Sequence, residues 1–259
     1  MDSEHEEAYV SVRTGLVSVT FRQLGVEQVV EVAAQAGLAA IEWGGDVHVP
    51  LGDLPAARKA RALCEDHGLA VAAYGSYLRA GSVDREEIRT AVTTAAELGA
   101  PRIRVWAGTV GTAEAGVGDR MAVTRGLAEL ADVAAGAGLE IAMEFHRGTL
   151  TDEVDSTITL LLDVGAPNLT TYWQPPVDLD DAACLAQLES LMPWLSTVHV
   201  FSWWPSNNRL PLSGRESLWR PVLQRLAAEP REINALLEFV ADDSVTQLAA
   251  DAADLHAWV

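Results

Sequence analysis

Lysine is nearly absent: Lys59 is the only one in 259 residues. It follows PAAR inside a helical pattern, away from any strand end. A Schiff-base aldolase needs a lysine amine within its pocket, so that chemistry is not expected. Basic residues are scarce altogether, with 18 Lys and Arg against 37 Asp and Glu and a net charge of −19. A field of that sign repels phosphate backbones, and nucleic acid is not an expected partner. The two cysteines, Cys64 and Cys184, fall on separate predicted helices with no metal or redox spacing, and read as buried structural thiols. No window approaches the roughly 18 uninterrupted apolar residues of a membrane span. The N-terminal MDSEHEEAY is acidic and carries no apolar signal core, so a cytoplasmic protein is expected, with residues 1–10 as a disordered acidic tail.

What the chain does have is apolar material, 49% of it, organised in a repeat. AGLAAIEW, HGLAVAAYG, LGAPRIRVW and AGLEIAMEF share one order: an alanine-rich helix, a glycine, an apolar strand. The glycines are Gly37, Gly68, Gly99 and Gly138, 31, 31 and 39 residues apart. A glycine just past a helix supplies the left-handed C′ conformation, and about 30 residues is the length of one βα unit. Strands are expected at 12–19, 39–43, 70–74, 102–106, 140–145, 169–173, 197–201 and 233–240. Helices are expected at 21–36, 54–67, 84–98, 122–137, 156–164, 182–191, 216–228 and 244–258. Eight such pairs without a long linker predict an α/β protein built as one closed (β/α)8 barrel over residues 11–259. An open doubly wound sheet fits less well. Its first strand is usually followed by a phosphate-binding glycine loop, and here the chain reads VSVTFRQL.

In a closed barrel the active site lies at the C-terminal ends of the strands. Three ionisable residues sit there in otherwise apolar runs: Glu144 in IAMEFH, His199 in TVHVF and Glu238 in NALLEF. Charged and imidazole groups are costly to bury unless paired. Two carboxylates and an imidazole at one rim could hold a divalent cation. The remaining strand ends supply Glu42, Trp43, Tyr74, Arg104, Trp106, His146, Trp173, Gln174 and Trp203. Aromatic walls with a few polar groups suit a sugar or polyol, apolar on its C–H faces and hydroxylated at its rim. Trp194, Trp219 and Trp258 fall on or beside helices and are expected to be structural. His48, in GGDVHVP, follows the second strand in a loop that could lean over the pocket. Glu42 either binds a hydroxyl or pairs with Arg104. GTVGTAEAGVG lacks the Lys-Ser/Thr ending of a phosphate loop and reads as a flexible lid or a disordered loop. The long stretch WWPSNNRLPLSGRESLW is expected to cover the mouth.

IEWGGDVHVP, GAPRIRVWAG, EFHRGT, YWQPP and VHVF together resemble the sugar phosphate isomerase/epimerase family, with the xylose-isomerase-like TIM barrel shared with endonuclease IV. The resemblance runs from about Gly15 to Val240. It implies one divalent metal, Mn2+ or Mg2+ with Zn2+ as an alternative, held by Glu, Asp, His and Glu at strands five to eight. Those positions are Glu144, Gln174, His199 and Glu238. Gln174 departs from the pattern, since an amide oxygen ligates a hard cation without bringing charge.

The expected chemistry is proton transfer at a carbon next to a carbonyl, through an enediolate, with Glu144 and Glu238 as acid and base. Substrate contacts are expected from His48, Trp106, His146, Trp173 and Trp203. A dehydratase of a cyclic polyol ketone shares the first step. Two further readings are a multi-zinc nuclease, poorly served by so few strand-end histidines and an acidic chain, and a barrel that binds a small ligand without catalysis. The expected partner is a small sugar or polyol, with no nucleic acid and no membrane, and the sequence leaves a homo-oligomer open.

Overall fold

The computed structural model describes residues 12–259, so the acidic tail expected at 1–10 lies outside the described residues. The strands are β1 (Val12–Val17), β2 (Ala40–Gly44), β3 (Ala70–Arg79), β4 (Arg102–Trp106), β5 (Glu140–Met143), β6 (Leu169–Trp173), β7 (Leu195–Val200), β8 (Ser202–Trp203), β9 (Arg209–Leu210) and β10 (Ile233–Leu237). The helices are α1 (Val26–Gln35), α2 (Leu54–Asp66), α3 (Arg85–Leu98), α4 (Val117–Ala135), α5 (Val154–Val164), α6 (Asp181–Leu191), α7 (Glu216–Ala227) and α8 (Val245–Trp258). β1–β7 and β10 close into a parallel barrel, each strand beside its sequence neighbour, with β10 completing the ring between β7 and β1. Among the described residues no helix is long and apolar enough to cross a membrane.

The punctuating glycines do what their position requires. Gly37, Gly68, Gly99 and Gly138 all have φ between 69° and 74°, the left-handed turn from helix to strand. Two helix starts differ from expectation. α1 begins at Val26 because Ser18–Phe21 forms a separate 3-10 turn. α4 begins at Val117, where the Asp119 carboxylate accepts the Gly116 N–H at 2.9 Å. The glycine-rich segment, expected as a lid or loop, thus leads directly into a helix. It is held in place too, since the Asp152 carboxylate accepts the Thr112 N–H at 3.2 Å.

Alternation along the strands sorts side chains between barrel interior and helix layer. Ala40 and Glu42, Arg102 and Arg104, Ala142 and Glu144, and Leu236 and Glu238 each share a face. The interior is lined by small residues, among them Ala40, Ala72, Ala73 and Ala142, which leave space for charged side chains above them. Leu, Ile and Val on the opposite faces pack against the helices in the main core. Gly75 belongs to the same spatial logic: a Cβ there would lie 2.8 Å from Glu42 Oε1 and 3.1 Å from Arg104 Nη2.

Another close approach joins α4 to the end of β3. A Cβ added to Gly126 would stand 2.2 Å from the Gly81 backbone nitrogen. Alanine gains about 1 kcal/mol of helix propensity over glycine. The contact is with backbone, which cannot rotate away, so the clash decides the sign. Gly126→Ala is expected to lose about 1–3 kcal/mol net, read as a lower midpoint in urea unfolding followed by circular dichroism.

Candidate active site

β2, β4, β5, β7 and β10 each deliver one ionisable side chain to a single buried cluster. Glu42 is fully buried, and Arg104, Glu144, His199 and Glu238 are each 7% exposed or less. Arg104 lies at the centre. Its Nε donates to Glu42 Oε1 at 3.0 Å and its Nη1 donates to Glu144 Oε2. The Trp106 indole N–H also donates to Glu144 Oε2. The Tyr172 hydroxyl donates to Glu42 Oε2 at 2.9 Å. His199 Nε2 lies 3.5 Å from Glu42 Oε2. Its Nδ1 lies 3.6 Å from Glu238 Oε2 and 3.8 Å from Glu144 Oε1. Both ring nitrogens are buried without a hydrogen-bond partner.

Local backbone fixes these positions after the regular strands end. Glu144 N–H donates to the Val105 carbonyl and Glu238 N–H to the Val200 carbonyl, both at 3.0 Å. Each glutamate thus keeps one rung of the ladder and continues its strand's inner face. Beyond Glu238 the chain turns through Phe239, whose φ is 48°. On a continuing strand these neighbours would face opposite ways; with this turn both line the cavity.

That cavity holds about 440 Å3 above the cluster. Glu144 and Glu238 form part of its floor, and Tyr77, Trp106, His146, Trp203 and Phe239 its walls. Trp106 meets Tyr77 edge-on at 5.3 Å and His146 at 5.5 Å. His146 Nδ1 donates to the Arg147 carbonyl at 2.7 Å. A carbonyl can only accept, so in the neutral ring Nε2 carries the free lone pair. The stretch expected to cover the mouth forms the antiparallel hairpin of β8 and β9, and Trp203 comes from it. Arg209 of the hairpin reaches Asp243 at 2.7 Å, tying hairpin to the loop after β10.

Burial and charge push the cluster's groups in different directions. Burial raises Glu42, but His199, Arg104 and Tyr172 outweigh it and hold this carboxyl at about 2. Glu144 is likewise raised by burial and lowered more strongly by Arg104 and His199. Glu238 lacks a close cationic hydrogen-bond donor. Burial, with Glu144 and Glu42 nearby, outweighs His199 and Arg104 and lifts it to about 7. Burial lowers His199, yet Glu238, Glu42 and Glu144 raise it further, to about 9.

Two expected substrate contacts are corrected. His48 does not line the cavity. Its Nδ1 pairs with the Ser18 hydroxyl at 3.0 Å and its Nε2 with the Leu24 carbonyl at 3.1 Å, so it fastens two loops together. Trp173 is fully buried against Trp219, ring centroids 6.2 Å apart, in the helix layer. Strand parity explains this: Tyr172 and Gln174 share the inner face of β6 and its extension, and Trp173 lies between them. Trp106, His146, Trp203, Glu144, Gln174 and Glu238 all line the cavity, with His199 directly beneath. The sequence reading assigned no site role to Tyr172, Tyr77 or Phe239. Parity could have found Tyr172; the turn that brings in Phe239 leaves no sequence signal.

The xylose isomerase-like TIM barrel model matches residues 30–176. The chain belongs to this family. No curated protein matches the sequence. Solved structures of the same fold superpose closely. A probable 3-DHS dehydratase of Bacillus anthracis gives a TM-score of 0.80 at 19% identity, over 94% of this chain and 98% of that one. The apo form of 3-keto-D-glucoside 4-epimerase of E. coli gives 0.74 at 16% identity, over 95% and 99%. A xylose isomerase-like TIM barrel protein of Mycobacterium smegmatis in complex with magnesium gives 0.64 at 17% identity, over 90% and 87%. These likenesses establish the barrel.

Whether the residues suit the divalent cation that the family implies turns on the donors themselves. Among the described residues no three His, Cys, Asp or Glu side chains stand as a ready-made metal centre. The donors are adjacent all the same. His199 Nδ1 is an orphaned buried nitrogen facing Glu144 Oε1 and Glu238 Oε2, and neither of those oxygens has a hydrogen-bond partner among the described residues. The Gln174 amide lines the same cavity without a hydrogen-bond partner among the described residues. Charge agrees. Three carboxylates and one guanidinium leave two negative charges, which either two protons or one divalent cation can cancel. The donor set fits.

The two proton-holding groups set a pH dependence. His199 is raised, so its stabilising share is full below its ordinary range near 6.5 and is lost as pH rises through about 9. Glu238 is also raised, so its share is lost as pH rises from near 4.5 through about 7. With a chelator present, the melting temperature is expected to fall across that span, and Glu238→Gln to flatten the fall around neutrality. Scanning fluorimetry at matched ionic strength checks this.

Proposed function

We propose that the chain is an isomerase or epimerase that moves a proton at a carbon beside the carbonyl of a sugar or sugar-like ketone, with Mn2+ or Mg2+ as cofactor. The observation that carries this is the pair of carboxylates on one cavity floor, Glu144 and Glu238, each with an oxygen facing His199 Nδ1, at 3.8 and 3.6 Å. Their surroundings differ: Arg104 and Trp106 donate to Glu144, and among the described residues Glu238 has no such donor. Two carboxyl groups in different environments are the usual mark of an acid/base site. The epimerase and dehydratase named among the structural relatives support the same class, and the magnesium complex supports the cofactor. A cavity of about 440 Å3 walled by aromatic rings suits a monosaccharide-sized ligand.

Each residue has a part. Glu238, on the cavity floor, exchanges a proton with the substrate carbon. Glu144 is the second acid/base group, so a proton can be taken on one side and returned on another, while His146, on the loop after β5, presents Nε2 to a substrate hydroxyl. Glu144 stays ionised because Arg104 and Trp106 hold one of its oxygens. Its free Oε1, with His199, Glu238 and the Gln174 amide oxygen, would hold the cation; a nitrogen among oxygens also admits Zn2+. A cation held there would supply Lewis acidity that makes the C–H beside the substrate carbonyl more acidic. Trp106, Trp203 and Phe239 cover the C–H face of the sugar, and the β8–β9 hairpin limits water above it.

A dehydratase is the second reading, favoured by the relative with TM-score 0.80. It shares proton removal and then expels a neighbouring hydroxyl, so product analysis by NMR separates the two.

Solvent deuterium wash-in tests the proposal directly. A panel of ketoses and polyol ketones is screened with Mn2+ present. Glu238→Gln and Glu144→Gln are each expected to slow exchange of the substrate C–H by about 10²–10⁴-fold. Exchange at the parent rate in both variants sinks the mechanism. The metal assignment has its own measurement: Gln174→Asp adds a charged oxygen at the cavity and is expected to tighten Mn2+ binding in calorimetric titration. Unchanged affinity would mean that Gln174 takes no part.

A further inference from the structure

Glu42 makes three polar contacts within the buried cluster, with Arg104, Tyr172 and His199, yet it has no access to the cavity. It is fully buried and does not line the pocket. Arg104 Nε holds one of its oxygens at 3.0 Å, and the Tyr172 hydroxyl holds the other at 2.9 Å. That second oxygen is also the one 3.5 Å from His199 Nε2. Tyr172 has a double hold on this geometry, because its ring meets the His199 ring edge-on at 5.1 Å and 86°. The imidazole is thus propped by the ring whose hydroxyl fixes the carboxylate behind it.

We infer that Glu42 is a positioning residue that keeps the His199 proton on Nε2 and leaves Nδ1 as the donor facing Glu144, Glu238 and the cavity. The inference rests on the metal-dependent reading of the site. His199 stands between carboxylates on both sides, and the distances alone do not choose between its nitrogens: 3.5 Å on one side, 3.6 and 3.8 Å on the other. Accessibility chooses. Glu42 is locked by two other donors and walled off, so nothing entering the cavity can compete for it. Glu144 and Glu238 line the cavity, where water or an entering ion satisfies them without the imidazole proton, whereas buried Glu42 has no such substitute on the His199 side. A ligand histidine whose other nitrogen is fixed by a carboxylate is more basic and better oriented, and loss of such a partner typically costs 10–100-fold in metal affinity. Arg104 and Tyr172 then act through Glu42. They keep it ionised and still, so that it steers the ring without taking the proton.

The decisive experiment reads the ring itself. The full chain, with 15N-labelled histidine and chelator, is examined by long-range 1H–15N NMR in alkaline buffer, where the ring is neutral. His199→Asn identifies its signals. The expected pattern is the Nε2–H tautomer for His199; an Nδ1–H tautomer overturns the inference whatever metal binding does. Calorimetry with Mn2+ alone adds a second readout. Glu42→Gln is expected to lose about 10–100-fold in affinity, with Tyr172→Phe losing less in the same direction. Parent affinity in a folded Glu42→Gln protein also overturns the inference. If Glu42→Gln does not fold, the wild-type tautomer and Tyr172→Phe still decide. A parent protein that binds no Mn2+ defeats the metal reading instead, and the tautomer measurement keeps the two failures apart.

Discussion

Every charged group at the base of the cavity is arranged about the Arg104 guanidinium. Placing three carboxylates within one small-residue barrel is costly unless positive charge accompanies them. Arg104 supplies that charge at fixed positions, bonding Glu42 through Nε and Glu144 through Nη1. Its fork joins β2 to β5 across its own strand β4, so the ion pairs also tie three neighbouring regions of the ring together. The same cation keeps Glu42 and Glu144 ionised and leaves Glu238, which it reaches less closely, to find another partner. The spread of pKa values across the site thus follows from where one guanidinium can and cannot reach.

The barrel was legible because its signals are local. A glycine after each helix, a short apolar strand and an amphipathic return are written within about 30 residues, and Gly37, Gly68, Gly99 and Gly138 adopt the conformation the pattern requires. The strand-end residues were legible as well, since an ionisable group in an apolar run stands out; Glu144, His199 and Glu238 do meet. Two kinds of feature escaped. Trp173 and His48 were read as cavity residues because both lie near strand ends, but strand parity sends one into the helix layer and loop packing claims the other. Arg104 was seen at its strand end, with a pairing to Glu42 as one of two readings, yet its bond to Glu144 depends on how residues 40 apart in sequence come together. Phe239 depends on a single left-handed residue without a glycine to announce it.

The balance of charge also gives a physical setting for Gln174. The family pattern implies an aspartate there. With the three glutamates, Arg104 and a divalent cation, glutamine brings the cluster to neutrality, whereas aspartate would leave it one charge negative. A buried cluster is least costly when its charges cancel. The neutral amide therefore belongs with the buried Arg104: the guanidinium already provides part of the positive charge. Without the cation the same balance is approached with protons, on His199 and on Glu238. A proton and a divalent cation would then compete for the same groups, because binding a cation requires the imidazole neutral and the carboxyl ionised. Filling the cavity with a cation would therefore release the protons that His199 and Glu238 hold in its absence, and the charge of the floor would stay balanced in both states because Arg104 and Gln174 set its total.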